Sequence, residues 1–382
     1  MVNIKKNPLE ANKLRILVVP PSYIEGNRTI GGGERYALEY SRALSQLAFV
    51  TLGLLGDSER TEKDGHLEIR VFKNAGYSSA WPFALLSPNA KQFLEYDLIH
   101  VMVFPTPLTD FLILLSLIYG KKVVLTDVGG GGPCLSTRIS RLWKRLDLNR
   151  FVSGMAHLSH YASMPYRTFP CKHTVLHGGV RHEDLLNRPV SFCGGYALFV
   201  GRLLPHKGVL ELVRCLSADT PLRVVGRIYD QEYFNEIKRA AGGKLITFHT
   251  NAGDFELAEH YRGANVVVQP SLPSSDFGFD KSELLGLVAL EGMSWAKPVV
   301  VTAVASLPET SIDGITGNII KPYNYELLRL TIEKYVKNPE LSFSIGKSAK
   351  EYVFQKFIWK QAAYKGMELY MQLMSDVCNN DN

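Results

Sequence analysis

The chain has 382 residues, more than one ordinary core holds and enough for two domains of roughly 150 to 200 residues each. With 46% hydrophobic and 21% charged residues it has the composition of a soluble globular protein, which excludes a disordered chain and a membrane bundle. The formal net charge of +6 favours anionic partners such as nucleotides, phosphates or acidic lipid, but spread over so large a surface it is no nucleic-acid signature.

The N-terminus, MVNIKKNPLEANK, is polar and lacks the apolar stretch and cleavage site of a signal peptide, so the chain is expected in the cytoplasm. RILVVP at 15–20 predicts a strand, a helix follows over about 33–47, and VTLGLL at 50–55 predicts the next strand. The glycines Gly31, Gly32 and Gly33 open that helix, with Glu34 in its first turn. Glycine lets backbone approach an oxyanion closely, and a helix start offers unpaired N–H groups. The triplet is not the GxGxxG fingerprint, however, and serves equally as a plain turn.

DLIHVMVF at 97–104 is the next strand, and the apolar FLILLSLIY at 111–119 is far shorter than the roughly 20 residues that span a bilayer, so it reads as a core helix. KVVLTDV at 122–128, the helical STRISRLWKRLD, and the strand-like FVSGMAHL and KHTVLH complete one α/β unit of βαβ rhythm. Its histidines His100, His157 and His177 lie in apolar or crossing stretches and read as structural.

Between Arg181 and Gly195 the pattern fails in a polar stretch with a proline and a Gly-Gly pair, which places a boundary near residue 190. A second series then runs through YALFVGR at 196–202, LRVVGR at 222–227, KLITFH at 244–249, ANVVVQPS at 264–271 and KPVVVT at 297–302. The last fifty or so residues have helical spacing, at Leu328, Ile332, Tyr335 and Val336 and again from Phe354 to Leu373. The domains expected are thus 1–190, 191–355, and a C-terminal helix over 356–382 that packs back on the first. The five cysteines are widely spaced and form no Cys-x-x-Cys pair, as suits a reducing compartment.

Two constellations carry chemistry. GRLLPHKG at 201–208 follows the first strand of the second series and enters a helix, so Arg202 and Lys207 can reach a diphosphate there, one as a planar fork and one as a point charge. In ELLGLVALEGM, Glu283 and Glu291 stand eight positions apart; on one helix they would be turned about 80° from each other and lie roughly two turns apart. That spacing suits two ends of one elongated ligand, since carboxylates accept hydrogen bonds from diols. The otherwise apolar stretch makes a solvated helix face a poor explanation for the pair.

GRLLPHKG, the Glu-x7-Glu stretch and GLVALEGMSWAKPVVVTAVASLPE together resemble the retaining GT-B glycosyltransferases of family 4, the glycosyl transferases of group 1. The resemblance implies two Rossmann-like doubly wound parallel-sheet domains facing a cleft, the first for an acceptor and the second for a nucleotide sugar. It assigns Arg202 and Lys207 to the donor diphosphate, Glu291 to the ribose and Glu283 to the transferred sugar. Gly32 or Gly33 would line the phosphate from the opposite domain, and Gly286, Leu287 and Val288 would offer backbone N–H groups. The base pocket would fall at Gly226 and Arg227 and at Thr250 and Asn251.

Two departures stand out. A longer loop, PSSDFGFDKS, precedes Glu283, where Leu284 and Leu285 replace the family's Gly-Phe. Where the family often has a histidine after a core strand of the first domain this chain has Val128, leaving Asp127 as the nearest titratable group, either to orient a hydroxyl or to cap the glycine turn that follows. No Asp-x-Asp stands where a metal would bridge a diphosphate, so transfer without metal or cofactor from a UDP- or GDP-sugar is expected, onto a glycan or lipid-linked acceptor. Loss of Lys207 should then weaken donor binding and turnover without unfolding the protein. The basic residues Arg138, Arg141, Lys144, Arg145 and Arg150 beside Ile139, Leu142, Trp143 and Leu146 suit an anionic membrane surface, although a packed helix with a solvated face is the more ordinary reading. A regulatory protein that binds nucleotide sugar without turnover, or an epimerase on the same scaffold, remains the alternative.

Overall fold

The computed structural model describes residues 14–21, 32–56, 58–73, 90–102, 107–129, 151–181, 191–273 and 283–378. The chain forms two compact units, one of Met1–Gly178 with Trp359–Asn382 and one of Gly179–Ile358. The divisions therefore fall at 178/179 and 358/359, not near 190 and 355.

The first unit holds an eight-stranded sheet of β1 (Arg15–Val19), β2 (Phe49–Gly56), β3 (Arg60–Asp64), β4 (Leu67–Lys73), β5 (Leu98–Val101), β6 (Lys122–Leu125), β7 (Gly154–His157) and β8 (Lys172–Val175). Their spatial order is β3-β4-β2-β1-β5-β6-β7-β8. All neighbours run parallel except β3, which turns back antiparallel on β4 through Gly65 at φ 61°. The β-branched strands are buried, as in a sheet covered on both faces: Ile16, Leu17, Val18, Ile99, Val101, Val123 and Val124 are all fully enclosed. Helices α1 (Gly32–Leu44), α2 (Ala90–Phe93), α3 (Pro107–Tyr119) and α4 (His160–Ser163) lie between the strands in sequence. In α1 the buried Tyr36, Tyr40 and Leu44 recur every four residues and make one apolar face.

The second unit is a six-stranded, all-parallel sheet of β9 (Ala197–Val200), β10 (Leu222–Val225), β11 (Ile246–His249), β12 (Val266–Gln269), β13 (Val299–Thr302) and β14 (Gly317–Ile320), in the order β11-β10-β9-β12-β13-β14. The order reverses direction between β9 and β12. In such doubly wound sheets ligands bind beyond the carboxyl ends of the strands at that switch point. Its helices are α5 (Val209–Cys215), α6 (Gln231–Ala240), α7 (Asp254–Gly263), α8 (Leu287–Ser294), α9 (Leu307–Thr310), α10 (Tyr325–Lys337) and α11 (Pro339–Lys356). Helix α5 packs with α6 and α10, and α8 with α11.

The last helix, α12 (Trp359–Cys378), belongs to the first unit and covers α1. Trp359 meets Tyr36 edge-on with ring centroids 5.1 Å apart, and Tyr370 Oη lies 2.8 Å from Tyr40 Oη and 2.6 Å from His100 Nδ1. His100 Nε2 completes the chain on Thr126 Oγ1 at 2.7 Å. Burial pushes the His100 imidazole down to about 3, so it stays neutral and spends both nitrogens on neutral partners. A Cβ on Gly366 of α12 would stand 1.8 Å from Tyr40 Oη, so only glycine lets the two helices meet this closely.

Candidate functional site

The loops that follow β9, β10 and β11 are laced together. Gly201 N donates to Val225 O at 3.0 Å, Leu203 N to Arg227 O at 3.0 Å and Gly226 N to His249 O at 3.1 Å. A Cβ on Gly226 would fall 1.7 Å from Gly201 O, so this crossing requires glycine. Arg202, Gly226, Arg227, Thr250 and Asn251 therefore follow one another along the carboxyl ends of three adjacent strands. Arg202 and Arg227 are exposed, with the Arg202 guanidinium 5.8 Å from the centre of the Tyr229 ring. Exposed, unshielded guanidinium groups suit a phosphate.

The chain then makes a 3-10 turn, Pro205–Lys207, and enters α5 through Gly208 at φ 68°. A Cβ there would lie 2.0 Å from Pro270 O, which seats this loop against the end of β12. That contact brings Lys207 to Glu283. The ammonium donates to Glu283 Oε1, which also accepts from Ser271 Oγ at 2.8 Å, while Ser306 Oγ donates to the Glu283 carbonyl at 2.8 Å. Burial pushes the Glu283 carboxyl up, but the Lys207 charge and hydrogen bonds from Lys207, Ser271 and Gln269 outweigh it and hold the group below the ordinary range. Neighbouring His206, also buried, is pushed to about 4 by burial first, then by the Lys207 charge, with Glu283 opposing and Arg202 adding. Arg202, Lys207 and Glu283 thus share one electrostatic field at the switch point.

Glu283 does not lie on a helix. Helix α8 begins at Leu287, because Gly286 adopts φ 84° and packs where a Cβ would touch Leu307 Cδ2 at 2.8 Å. The eight-residue helical separation of the two glutamates therefore does not apply. Glu283 reaches the site from the preceding loop and Glu291 from the second turn of α8. Ala289 and Leu290 make the first bonds of α8, both to Gly286 O, so among the described residues the Leu287 and Val288 N–H groups of its first turn have no backbone acceptor. Glu291 Oε2 accepts from Tyr261 Oη on α7 at 2.8 Å.

At the end of β11, His249 Nδ1 and His260 Nε2 lie 3.1 and 3.4 Å from Glu256 Oε1, a spacing that would also suit a metal. Arg223 Nη1 stands 3.2 Å from His260 Nδ1. An arginine only donates, so His260 carries its proton on Nε2 and gives it to Glu256. The cluster is a hydrogen-bonded brace under the loop of Thr250 and Asn251.

Gly32, Gly33 and Asp127 belong to the first unit. Gly32 is exposed with open space around its Cβ position, whereas a Cβ on Gly33 would meet Val128 Cγ2 at 3.0 Å and Pro21 Cγ at 3.3 Å. Val128 thus packs against the start of α1. Asp127 is buried and both its oxygens are engaged: Oδ1 accepts from Gly129 N at 3.0 Å, and Oδ2 from the Tyr166 hydroxyl. Tyr166 stacks on His157, whose Nε2 lies 2.9 Å from His173 Nδ1. Residues 274–282 of the long loop and the basic stretch from Arg138 to Arg150 lie outside the described residues.

Sequence reasoning missed Gln269, Ser271, Tyr261 and His206. The first two were legible as the polar end of a buried strand, VVVQ-P-S, at a switch point; Tyr261 and His206 carry no such signal.

Comparison with known proteins places these observations. Residues 194–352 match the family model described as glycosyl transferases group 1. An uncharacterized glycosyltransferase of Methanocaldococcus jannaschii is 29% identical over 204 residues, 52% of this chain and 53% of that protein. A D-inositol 3-phosphate glycosyltransferase of Streptomyces griseus is 30% identical over 195 residues, 47% of this chain and 39% of that one. The chain thus spans about half or less of these relatives. Among solved structures, sucrose-phosphate synthase of Thermosynechococcus elongatus aligns with a TM-score of 0.72 at 19% identity, covering 95% of this chain and 100% of that one. HepE of Anabaena, solved with UDP and glucose, aligns at 0.68 and 19% identity, covering 94% and 100%. The fold is GT-B, with two Rossmann-like doubly wound units.

Proposed function

We propose that this chain, GT-B in fold and matched over its second unit by the group 1 glycosyl transferase model, is a glycosyltransferase that moves a sugar from a UDP- or GDP-sugar to a glycan or lipid-linked acceptor. The observation that carries the reading is the gathering of Arg202, Lys207, Glu283, Glu291 and the first N–H groups of α8 at the switch point of one parallel sheet. The Anabaena neighbour, solved also with UDP-glucose, supports the donor class.

In this reading Arg202 and the α8 N–H groups hold the diphosphate. Lys207, which neutralises Glu283 in this structure, turns its ammonium toward the incoming phosphate, and Glu283 then accepts from sugar hydroxyls. Gly226, Arg227, Thr250 and Asn251 frame the base, and Glu291 takes the ribose. The bond from the anomeric carbon to the diphosphate breaks as the acceptor oxygen bonds to that carbon on the same face. The acceptor proton passes to the departing diphosphate, so the sugar keeps its configuration. Fixed cations and N–H groups stabilise the leaving charge, and neither metal nor organic cofactor is needed. Asp127, with both oxygens committed, shapes the first unit through Tyr166 and the glycine turn.

The product is assigned to polysaccharide or glycolipid synthesis, with the enzyme peripheral on the inner face of a membrane. Among the described residues no helix is long and apolar enough to cross a bilayer. The test is to incubate the protein with a panel of nucleotide sugars in excess chelator and measure release of nucleoside diphosphate with and without acceptor. Release without added metal supports the proposal; binding without release favours a regulatory protein and sinks the enzymatic reading.

A further inference from the structure

Glu291 is a partly exposed carboxylate on a short helix, and such a side chain ordinarily samples several rotamers. Fixing a glutamate costs side-chain entropy, which a ligand must otherwise supply. Here the cost is met before any ligand arrives. Tyr261 is 2% exposed, its rigid ring is enclosed at the last turn of α7, and its hydroxyl donates to Glu291 Oε2 at 2.8 Å. We infer that Tyr261 is a positioning residue, whose buried phenol sets the Glu291 carboxylate for a vicinal diol of the donor nucleoside. The inference rests on the reading of Glu291 as the ribose ligand.

The geometry of a carboxylate explains what the phenol does. Two oxygens offer about four lone-pair directions, and a diol needs one on each oxygen in the same plane. The phenol's bond to Oε2 fixes that plane. Because the phenol has only two rotatable angles and is packed on all sides, it cannot follow the carboxylate to another rotamer. Tyrosine also donates without bringing a charge of its own to the site. An arginine here would hold the carboxylate as firmly but would spend both oxygens on its own fork.

The test is calorimetric titration with UDP, or with GDP where UDP does not bind, of the wild-type chain and of Tyr261→Phe, Glu291→Ala and the double variant. The matching 2′-deoxy and 3′-deoxy nucleotides serve as further probes. Tyr261→Phe removes one oxygen from a closed site, and its thermal midpoint reports whether the unit stays folded. The expected result is about tenfold weaker nucleotide binding in Tyr261→Phe, the scale of a hydrogen bond to a charged group. The penalty for the deoxy nucleotides should shrink in that variant, the Phe change should cost nothing further in the Glu291→Ala background, and in turnover the donor KM should rise with kcat held. A purely structural tyrosine would leave the deoxy penalty unmoved. If Glu291→Ala weakens binding and Tyr261→Phe does not, the positioning role is overturned while the site reading stands. If Glu291→Ala leaves binding unchanged, or the wild-type chain binds neither nucleotide, the ribose assignment itself falls and the inference with it.

Discussion

Replacing Lys207 by methionine isolates one term in the second unit. The Lys207 and Glu283 side chains are 14% and 9% exposed, and among the described residues Lys207 is the cation paired to that carboxylate. Breaking a buried pair from one side costs about 3 to 5 kcal/mol, because the remaining charge is stranded. Bonds from Ser271 and Gln269 persist and soften the loss, so Lys207→Met should destabilise the second unit by about 2 to 3 kcal/mol. Adding Glu283→Gln removes the stranded charge and should return about 1 to 2 kcal/mol, a double variant more stable than the single one. Urea titration read by hydrogen exchange in β12 and β13 follows this unit alone. The pH dependence supplies a second readout. In the wild type the depressed Glu283 carboxyl contributes stability above its unfolded pKa that is lost as pH falls through the folded value. Without Lys207, burial raises the carboxyl and the sign reverses, so stability falls as pH rises. A single variant as stable as wild type, or a double variant no better than the single, would refute the picture of a desolvated pair. Read as a residue of an exposed phosphate loop, Lys207 would be dispensable for folding; the pair gives it a structural part.

Three further outcomes follow from the geometry. His100 and His206 are held neutral at about 3 and about 4, so between those values and the ordinary 6.5 the unfolded chain binds more protons than the native one. Stability should therefore fall steadily as pH drops from 6.5 toward 4, at up to about 1.4 kcal/mol per depressed pKa unit, measured by denaturant unfolding across that range. Gly366→Ala drives a methyl group into Tyr40 Oη and should cost about 1 to 3 kcal/mol, seen as faster exchange and proteolysis of α12. Asp127→Asn should loosen Tyr166 and lower the midpoint of the first unit while leaving the transfer rate within about threefold; a loss of a hundredfold or more would restore Asp127 to the chemistry.

Most of the fold was legible because its strands are buried on both faces and so read as β-branched runs. The strands that escaped lack that signature. In β3, RTEKD is a largely solvated edge; β4, LEIRVFK, carries charged residues among its few buried ones; and β14, GNII, opens on a glycine. The candidate site was legible in kind but not in geometry. Glutamates eight apart suggested one helix, yet Gly286 adopts a left-handed turn between them, and Glu283 arrives from a loop through contacts with residues remote in sequence. Lys207 and Glu283 are 76 positions apart, and no spacing within either motif announces their meeting. Asp127 shows the converse: its place at the end of β6 left open either a substrate hydroxyl or the glycine turn, and its oxygens accept from the Gly129 amide and the Tyr166 phenol.

The chain enters the second unit at Gly179 and leaves it at Ile358, and these two ends are bonded to each other, Val180 N to Phe357 O at 2.9 Å. The whole second unit is thus an insertion whose entry and exit close like a clasp. On the ribosome this fixes an order of events. The pocket around Tyr36, Tyr40 and His100 is made early but stays open until Trp359 and Tyr370 emerge, after every strand of the second sheet has been synthesised. The second unit is therefore fully synthesised while the first still waits for its last helix, and a chaperone or protease would find the exposed face of α1 during that interval.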